Sequence, residues 1–289
     1  MSRPPAFLVS ESETAEARQE RRQVTGRSSG ESFADLLRAM VPGAACELVQ
    51  TVEAGPAGEP SRDLAGYDAV FLAGSPLHVY EESPAVRRQL SFMQAVFASA
   101  TPCFGSCAGL QIAVAAAGGR VRQNKRGHEV GIGRRILRTA AGQDHPLLSE
   151  RPDVFDALSL HSDEVEALPP GSTLLATNRV TTVQAAEIRH DGGVFWGVQY
   201  HPELPLEEIA DALRRQGEEI VDQKLARSEA DVEGYAAAIE DLGRDPGRHD
   251  LAWRLGLDEQ VTDARSRRSE ISMFVRHLVE PTRSQRGRA

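Results

Sequence analysis

The sequence predicts an α/β fold: a central, mostly parallel sheet flanked by helices, with a helical C-terminal extension. Three observations predict it. Short apolar runs alternate with amphipathic helical spacing as far as Gly119, the pattern of strands joined by crossover helices. A glycine-framed cysteine, "GSCAG", stands where one such run passes directly into a helical one. From Leu206 onward only helical spacing is present.

The elements follow in order. Ala6 to Val9 reads as a short buried strand, and the polar, charge-mixed stretch from Glu11 to Glu31 as a flexible or partly helical excursion. Phe33, Leu36, Leu37 and Met40 share a helix face that Pro42-Gly43 ends. Glu47 to Val52 is strand-like and Gly55 to Pro60 a loop. Tyr67 to Ala73 is a buried strand running into Gly74-Ser75-Pro76; Pro84 opens a helix to about Ala98. Thr101 to Gly105 is a short strand, and Ala108 to Ala117 a small-residue helix stopped by Gly118-Gly119. The texture then turns β-rich, with pieces at Val130–Leu137, Asp153–Leu160, Ser172–Ala176, Val183–Ile188 and Val194–Tyr200. Three helical faces come after Leu206, and Thr282 to Ala289 reads as a disordered basic tail. The domain division expected is 1–204 for the α/β unit and 205–289 for the helical extension.

Bulk properties exclude several function classes. The chain has 289 residues, 40% of them hydrophobic, and a net charge of -9. That supports a sizeable core and argues against a nucleic-acid groove or an anionic membrane surface. No apolar run approaches the ~20 residues of a membrane helix, and Ala6–Val9 is too short for a secretory signal. Three cysteines, Cys46, Cys103 and Cys107, form an odd set without metal-ligand spacing. The expectation is a cytoplasmic protein in a reducing compartment, with no cofactor and no metal.

The chemistry centres on Cys107. Gly105 and Gly109 frame it at i-2 and i+2, which lets a strand and a helix approach around a strained turn. At the start of a helix the dipole favours a negative sulfur. Cys103 lies within the strand, lacks the glycine frame, and reads as structural, as does Cys46. A base is available in "GVQYHPE": His201 ends the last apolar strand and Glu203 follows two positions on. A carboxylate there can hold the imidazole in the tautomer that accepts a thiol proton. An oxyanion site is supplied by the glycine turn in "FLAGSP": the Gly74 N–H, together with that of Ala108 after the cysteine.

These stretches, "GSCAGLQ", "GVQYHPE" and the upstream "GSP", resemble class I glutamine amidotransferases, and the resemblance covers roughly residues 5–204. "SLHSDEVEALPPGSTLLATN" is similar to the glutaminase domain of GMP synthases and their stand-alone relatives. The resemblance implies a flavodoxin-like sheet and a glutaminase. Cys107 would attack the side-chain amide of L-glutamine, His201 would shuttle the proton, and Glu203 would orient His201. Gly74 and Ala108 would form the oxyanion hole, with Gln111 and the backbone around Leu160 and His161 holding the amino-acid end. His161 as a plain core or loop histidine stays open.

Two departures bear on function. Position 110 is Leu where many members carry His, and nothing after Glu203 looks like the ATP-pyrophosphatase domain of a GMP synthase. The segment after Pro205, with "DLAWRLGLD", resembles the extension of bacterial stand-alone, GMP-synthase-like members; it reads as packing against the domain, with a docking or homo-oligomer surface as the alternative. Three functions are carried: a glutaminase feeding ammonia to a partner synthase or ligase, a γ-glutamyl hydrolase acting on γ-glutamyl amides or peptides, and a non-catalytic regulatory module. The complete Cys107, His201, Glu203 set speaks against the third.

Overall fold

The computed structural model describes residues 3–55, 59 and 63–288. The loop expected over Gly55–Pro60 lies largely outside them. Strands β1 (Ala6–Glu11), β2 (Ala45–Gln50), β3 (Ala69–Leu72), β4 (Cys103–Ser106), β5 (Arg120–Gln123) and β6 (Glu129–Arg138) alternate with helices α1 (Ala15–Thr25), α2 (Ser29–Met40), α3 (Pro84–Ala98) and α4 (Ala108–Ala116). Helix α5 (Ala140–Asp144) and strands β7 (Val154–His161), β8 (Asp163–Ala167), β9 (Ser172–Thr177), β10 (Ala185–His190) and β11 (Gly193–Val198) follow. The chain closes with α6 (Leu206–Arg215), α7 (Gly217–Asp222), α8 (Glu229–Arg244), α9 (His249–Leu255), α10 (Glu259–Thr262), α11 (Ala264–Arg267), α12 (Ser269–Phe274) and α13 (Glu280–Gln285).

The main sheet has the order β2-β1-β3-β4-β11-β10-β9-β6-β7. From β2 to β11 every pairing is parallel; from β11 to β7 every pairing is antiparallel. The parallel core puts the carboxyl ends of β1, β3, β4 and β11 along one edge, where α/β sheets gather their functional groups.

The inner parallel strands β1, β3, β4 and β11 are buried on both faces, which explains their apolar runs, whereas the edge strand β2 is half exposed. In β1, Phe7 and Val9 join the cluster under α2, with Phe33, Leu37, Phe71 and Phe104. Ala6 and Leu8 join the opposite cluster under α3 and α4, with Met93, Phe97, Leu110 and Val114. A third cluster packs Ile132 and Leu158 of the antiparallel half beneath Ile209, Leu213, Ala236 and Ile239 of α6 and α8. The C-terminal helices therefore divide their work. Helices α6 and α8 cover the antiparallel half, while α12 returns to the parallel half, where the Phe274 ring meets Phe71 at 5.4 Å and Phe104 at 5.5 Å.

Three local features go beyond what the sequence pattern showed. The excursion after Glu11 contains a full helix, α1, capped by Thr14 and closed by Gly26 at φ +79°. Its buried Arg18 donates to the Glu13 carbonyl at 2.8 Å and pairs with Glu53. Strands β5 and β8 form a separate two-stranded ribbon that the sequence pattern did not announce. As far as Arg288 the basic tail packs onto the fold: α13 runs to Gln285, and Arg283 and Arg288 each lie 3.4 Å from the fully buried Asp68 carboxylate, with Arg3 at 3.3 Å. Arginines gathering on one buried acid supply the reason, and nothing local to Thr282–Ala289 reveals that acid.

Glu187 ties β10 to its neighbours, accepting from Trp196 Nε1 at 2.7 Å and Arg189 Nε at 2.8 Å, with His145 at 3.4 Å. Burial alone would raise its pKa, but His145, Arg189 and Trp196 together hold it at about 2. A depressed folded-state pKa stabilises the fold above the unfolded value of 4.5, and this contribution fades as pH falls toward 2. Glu187→Gln should therefore flatten the acid limb of a Tm-versus-pH curve across that window. An unchanged limb would show that the ion cluster contributes nothing.

Candidate active site

The turn from β4 into α4 gives Cys107 an unusual backbone. It sits at φ +49°, ψ -109°, a region that side-chain-bearing residues rarely occupy and that costs of order 1–3 kcal/mol. The surroundings hold it there: the Cys107 N–H donates to the Val198 carbonyl of β11 at 2.8 Å, and its carbonyl accepts from the Gln111 N–H at 3.2 Å. The flanking glycines are required by close approach. A Cβ on Gly105 would lie 2.9 Å from the Gly109 carbonyl carbon, and one on Gly109 3.0 Å from Leu72. The sulfur is nearly buried, 3.6 Å from the Leu160 carbonyl.

His201 stands beyond the end of β11, its N–H fixed on the Leu158 carbonyl at 2.8 Å. Its Nδ1 is 2.7 Å from Glu203 Oε1, so Nδ1 carries the proton and donates. Among the described residues its buried Nε2 has no hydrogen-bond partner. Burial pushes the imidazole pKa down, but the charges of Glu203 and the Cys107 sulfur outweigh it and push it well above the usual value. Gly74 approaches the same ring: a Cβ there would lie 3.6 Å from His201 Cε1. Among the described residues, neither the Gly74 N–H nor the Ala108 N–H is paired with a backbone carbonyl.

Cys107, His201, Glu203, Gly74, Gln111, Leu160 and His161 all line one cavity of about 570 Å³. Ala108 opens α4 immediately after the cysteine. The carboxamide nitrogen of Gln111 donates to Gln199 Oε1 at 3.2 Å and to the Asp163 carbonyl at 3.4 Å. The His161 ring is committed within the fold. The ring is buried and used on both sides, with Nε2 2.9 Å from Glu129 Oε2 and Nδ1 2.9 Å from the Asp163 carbonyl.

Several lining residues carried no sequence expectation. Asp163 holds His78 Nδ1 at 2.7 Å and accepts from the Tyr80 hydroxyl at 3.1 Å. Its position in "SLHSD", next to an assigned residue, was the available signal. Helices α1 and α2 supply Ala17, Arg21, Ser29 and Phe33 from the far side. Arg21 reaches Glu13 at 3.7 Å and Glu208 of α6, so α1 is tied across the cavity mouth. That wall came from the stretch read as a flexible or partly helical excursion, and only the tertiary pairing of Arg21 shows its place.

Cys103 is separate. It is 1% exposed in the core under α3 and α4, and burial pushes its thiol well above the usual pKa. Cys103→Ala should leave the turnover of the chain within about twofold of the parent while costing ~1–2 kcal/mol of stability for the small cavity. Loss of turnover would assign the chemistry to the wrong cysteine.

The model of the family described as glutamine amidotransferase class-I matches residues 32–218. A γ-glutamyl-L-1-hydroxyisopropylamide hydrolase from a Pseudomonas species is 34% identical over 96% of this chain and 94% of its own length. The GMP synthase of Thermosipho melanesiensis is 34% identical over 47% of this chain, which spans 24% of that enzyme. Among solved structures, a glutamine amidotransferase from Thermotoga maritima covers 94% of this chain, and 99% of that one is matched, with a TM-score of 0.62 at 19% identity. One from Methylobacillus flagellatus covers 89%, with 96% of its own chain matched, at a TM-score of 0.56 and 18% identity. At those identities the two structures speak for the fold.

Proposed function

The chain belongs to the class I glutamine amidotransferase family, and from that premise we propose that it hydrolyses N-substituted γ-glutamyl amides through a γ-glutamyl thioester on Cys107. In this reading His201 Nε2 takes the thiol proton as sulfur attacks the γ-carbonyl carbon. The oxyanion is received by the N–H groups of Gly74 and Ala108. The proton passes from His201 to the leaving nitrogen, the C–N bond breaks, and the amine departs. Water then attacks the thioester, again with His201 as base, and the C–S bond breaks to return the thiol and release glutamate. Glu203 holds His201 in the working tautomer throughout. Gln111 and the backbone at Leu160 and His161 bind the glutamyl end.

The observation that carries the choice of a substituted amide is the reach of the cavity along the sheet edge. Cys107 follows β4 directly, and β1 lies two strands away, about 10 Å at ordinary strand spacing. The cavity continues in that direction to Glu13, Ala17 and Phe33, away from the Gln111 and Leu160 side. Glutamine leaves only ammonia and needs none of that space. The similarity to the amide hydrolase also runs through the C-terminal helices, where the match to GMP synthases covers about half of the chain. That partial match favours a second reading, a glutaminase delivering ammonia from L-glutamine to a partner synthase.

Glutamate release by the purified chain decides between them. We expect kcat/KM for γ-glutamyl-isopropylamide and its hydroxylated analogue to exceed that for L-glutamine at least tenfold. A preference for glutamine by the same margin would replace the proposal with the ammonia-delivery reading.

A further inference from the structure

A second cavity, of about 1010 Å³, opens between the antiparallel half of the sheet and helices α6 to α8. Its floor is apolar, built from Val130, Ile132, Leu213, Ile220, Val232 and the ring of Tyr235. At its mouth stand Leu137, Val154 and Leu225, exposed at 46%, 50% and 55%. Seven large apolar side chains are exposed among the described residues, and three of them meet here. Scattered exposed apolar groups need no explanation, whereas a cluster around a concavity marks a contact surface.

The rim is cationic in a chain whose net charge is -9. Arg135, Arg179 and Arg227 line the cavity, and among the described residues no acidic or carbonyl group is paired with any of their guanidiniums. The contrast with Arg134, on the same rim, is direct. Its guanidinium is committed to Asp156 at 2.7 Å and to the carbonyls of Leu255 and Gly256 at 2.7 and 2.8 Å. The placement of Arg135 is also costly. It sits at φ +52° within the irregular register between Gly133 and Ile136 of β6, a bulge that turns a side chain out of its expected alternation. Against these three cations the rim offers, among the described residues, one unpaired carboxylate, Asp231, since Glu129 deeper in is saturated by His161, Asn178 and Gln184.

We propose that this cavity is a binding site for a small amphipathic anion, a carboxylate-headed molecule with an apolar body. The apolar floor takes the body, and the guanidiniums of Arg135, Arg179 and Arg227 take the head, for which their planar donor pairs are suited. The volume is that of a small-molecule site, and the walls of sheet and helix enclose it on two sides. The site is distinct from the one holding Cys107, although His128 lines both cavities.

Calorimetric titration of the full chain with decanoate tests the proposal, with decyltrimethylammonium as the cationic control. Decanoate should bind saturably at one site, and the cation at least tenfold more weakly. The Arg135→Ala/Arg227→Ala double variant, altered only at exposed positions, should lose at least tenfold in decanoate affinity while releasing glutamate at the parent rate. Alkylating Cys107 should leave decanoate binding unchanged, which keeps this test independent of the proposed reaction. Absence of saturable binding, equal binding of the cation, or an unaltered affinity in the double variant would each overturn it. So would loss of binding on alkylation, which would place the probe in the catalytic cavity, or binding of an acidic amphipathic peptide in place of decanoate.

Discussion

Cys107→Ala should lower kcat for γ-glutamyl amide hydrolysis by roughly 10⁴- to 10⁶-fold, the scale seen when a covalent nucleophile is removed, with a Tm within a few degrees of the parent. The sulfur's hydrogen bond to the Leu160 carbonyl is a weak one, at 3.6 Å, so its removal takes little away from the fold. The backbone at φ +49° is held by the bonds to Val198 and Gln111, which alanine keeps. Activity and stability therefore separate at this position. Steady-state kinetics and thermal unfolding on the same preparation check both halves. Turnover retained within tenfold would remove the thioester from the mechanism; a collapse of Tm would mean the loss was one of folding. His201→Ala should approach the same kinetic loss, because Nε2, buried in the sulfur's cavity with no hydrogen-bond partner among the described residues, is the atom proposed to move the proton. Glu203→Gln should cost less, since it weakens the orientation of the ring and leaves the proton acceptor in place.

Glu270→Ala should be among the most destabilising single changes in the chain, by about 3–5 kcal/mol. Glu270 of α12 is fully buried and receives Arg151 in a two-pronged pair, Nε at 2.7 Å and Nη2 at 3.0 Å. The Tyr200 hydroxyl donates to the same carboxylate at 2.6 Å. Arg151 also lies 4.9 Å over the Phe155 ring and bonds the Arg267 carbonyl. Truncating Glu270 leaves a buried guanidinium and a buried hydroxyl without their acceptor. Denaturant titration of Glu270→Ala, Arg151→Met and the double variant gives the coupling between them. The double variant should recover part of the loss, because the costly state is the uncompensated charge. A Glu270→Ala loss below ~1 kcal/mol would show that water replaces the carboxylate and that the pair is not structural.

That second site also explains what the C-terminal helices do near the chemistry. Tyr200 is the residue before His201, so α12 anchors the strand end that presents the imidazole. The sequence shows α12 only as an apolar helix face around Ile271 and Phe274. Glu270 reads there as an ordinary solvent-facing acid, because periodicity says which face is apolar and not what the opposite face meets.

The division between sequence and tertiary structure follows from the range of the forces involved. Strand and helix identity in the parallel half is a matter of local spacing, so β1, β3, α3, β4 and α4 were legible to within a few residues. The glycine frame of Cys107 was legible as a local motif, although part of its steric need is long-range: a Cβ on Gly109 would meet Leu72 of β3. The pairing of His201 with Glu203 spans two residues and could be read directly. What lay across the chain could not. Only the strand order β1-β3-β4-β11 brings Gly74, Cys107 and His201 to one edge. Only the pairing of Arg21 with Glu13 and Glu208 makes a cavity wall out of a polar stretch. The partners of the buried acids Asp68, Glu129 and Glu270 were not legible because they lie far away in sequence, even for Asp68, which falls in a run that reads as a buried strand. Composition and short-range pattern determined the fold class and the proposed reactive groups; long-range burial of charge decided how those groups are held and how much room lies beside them.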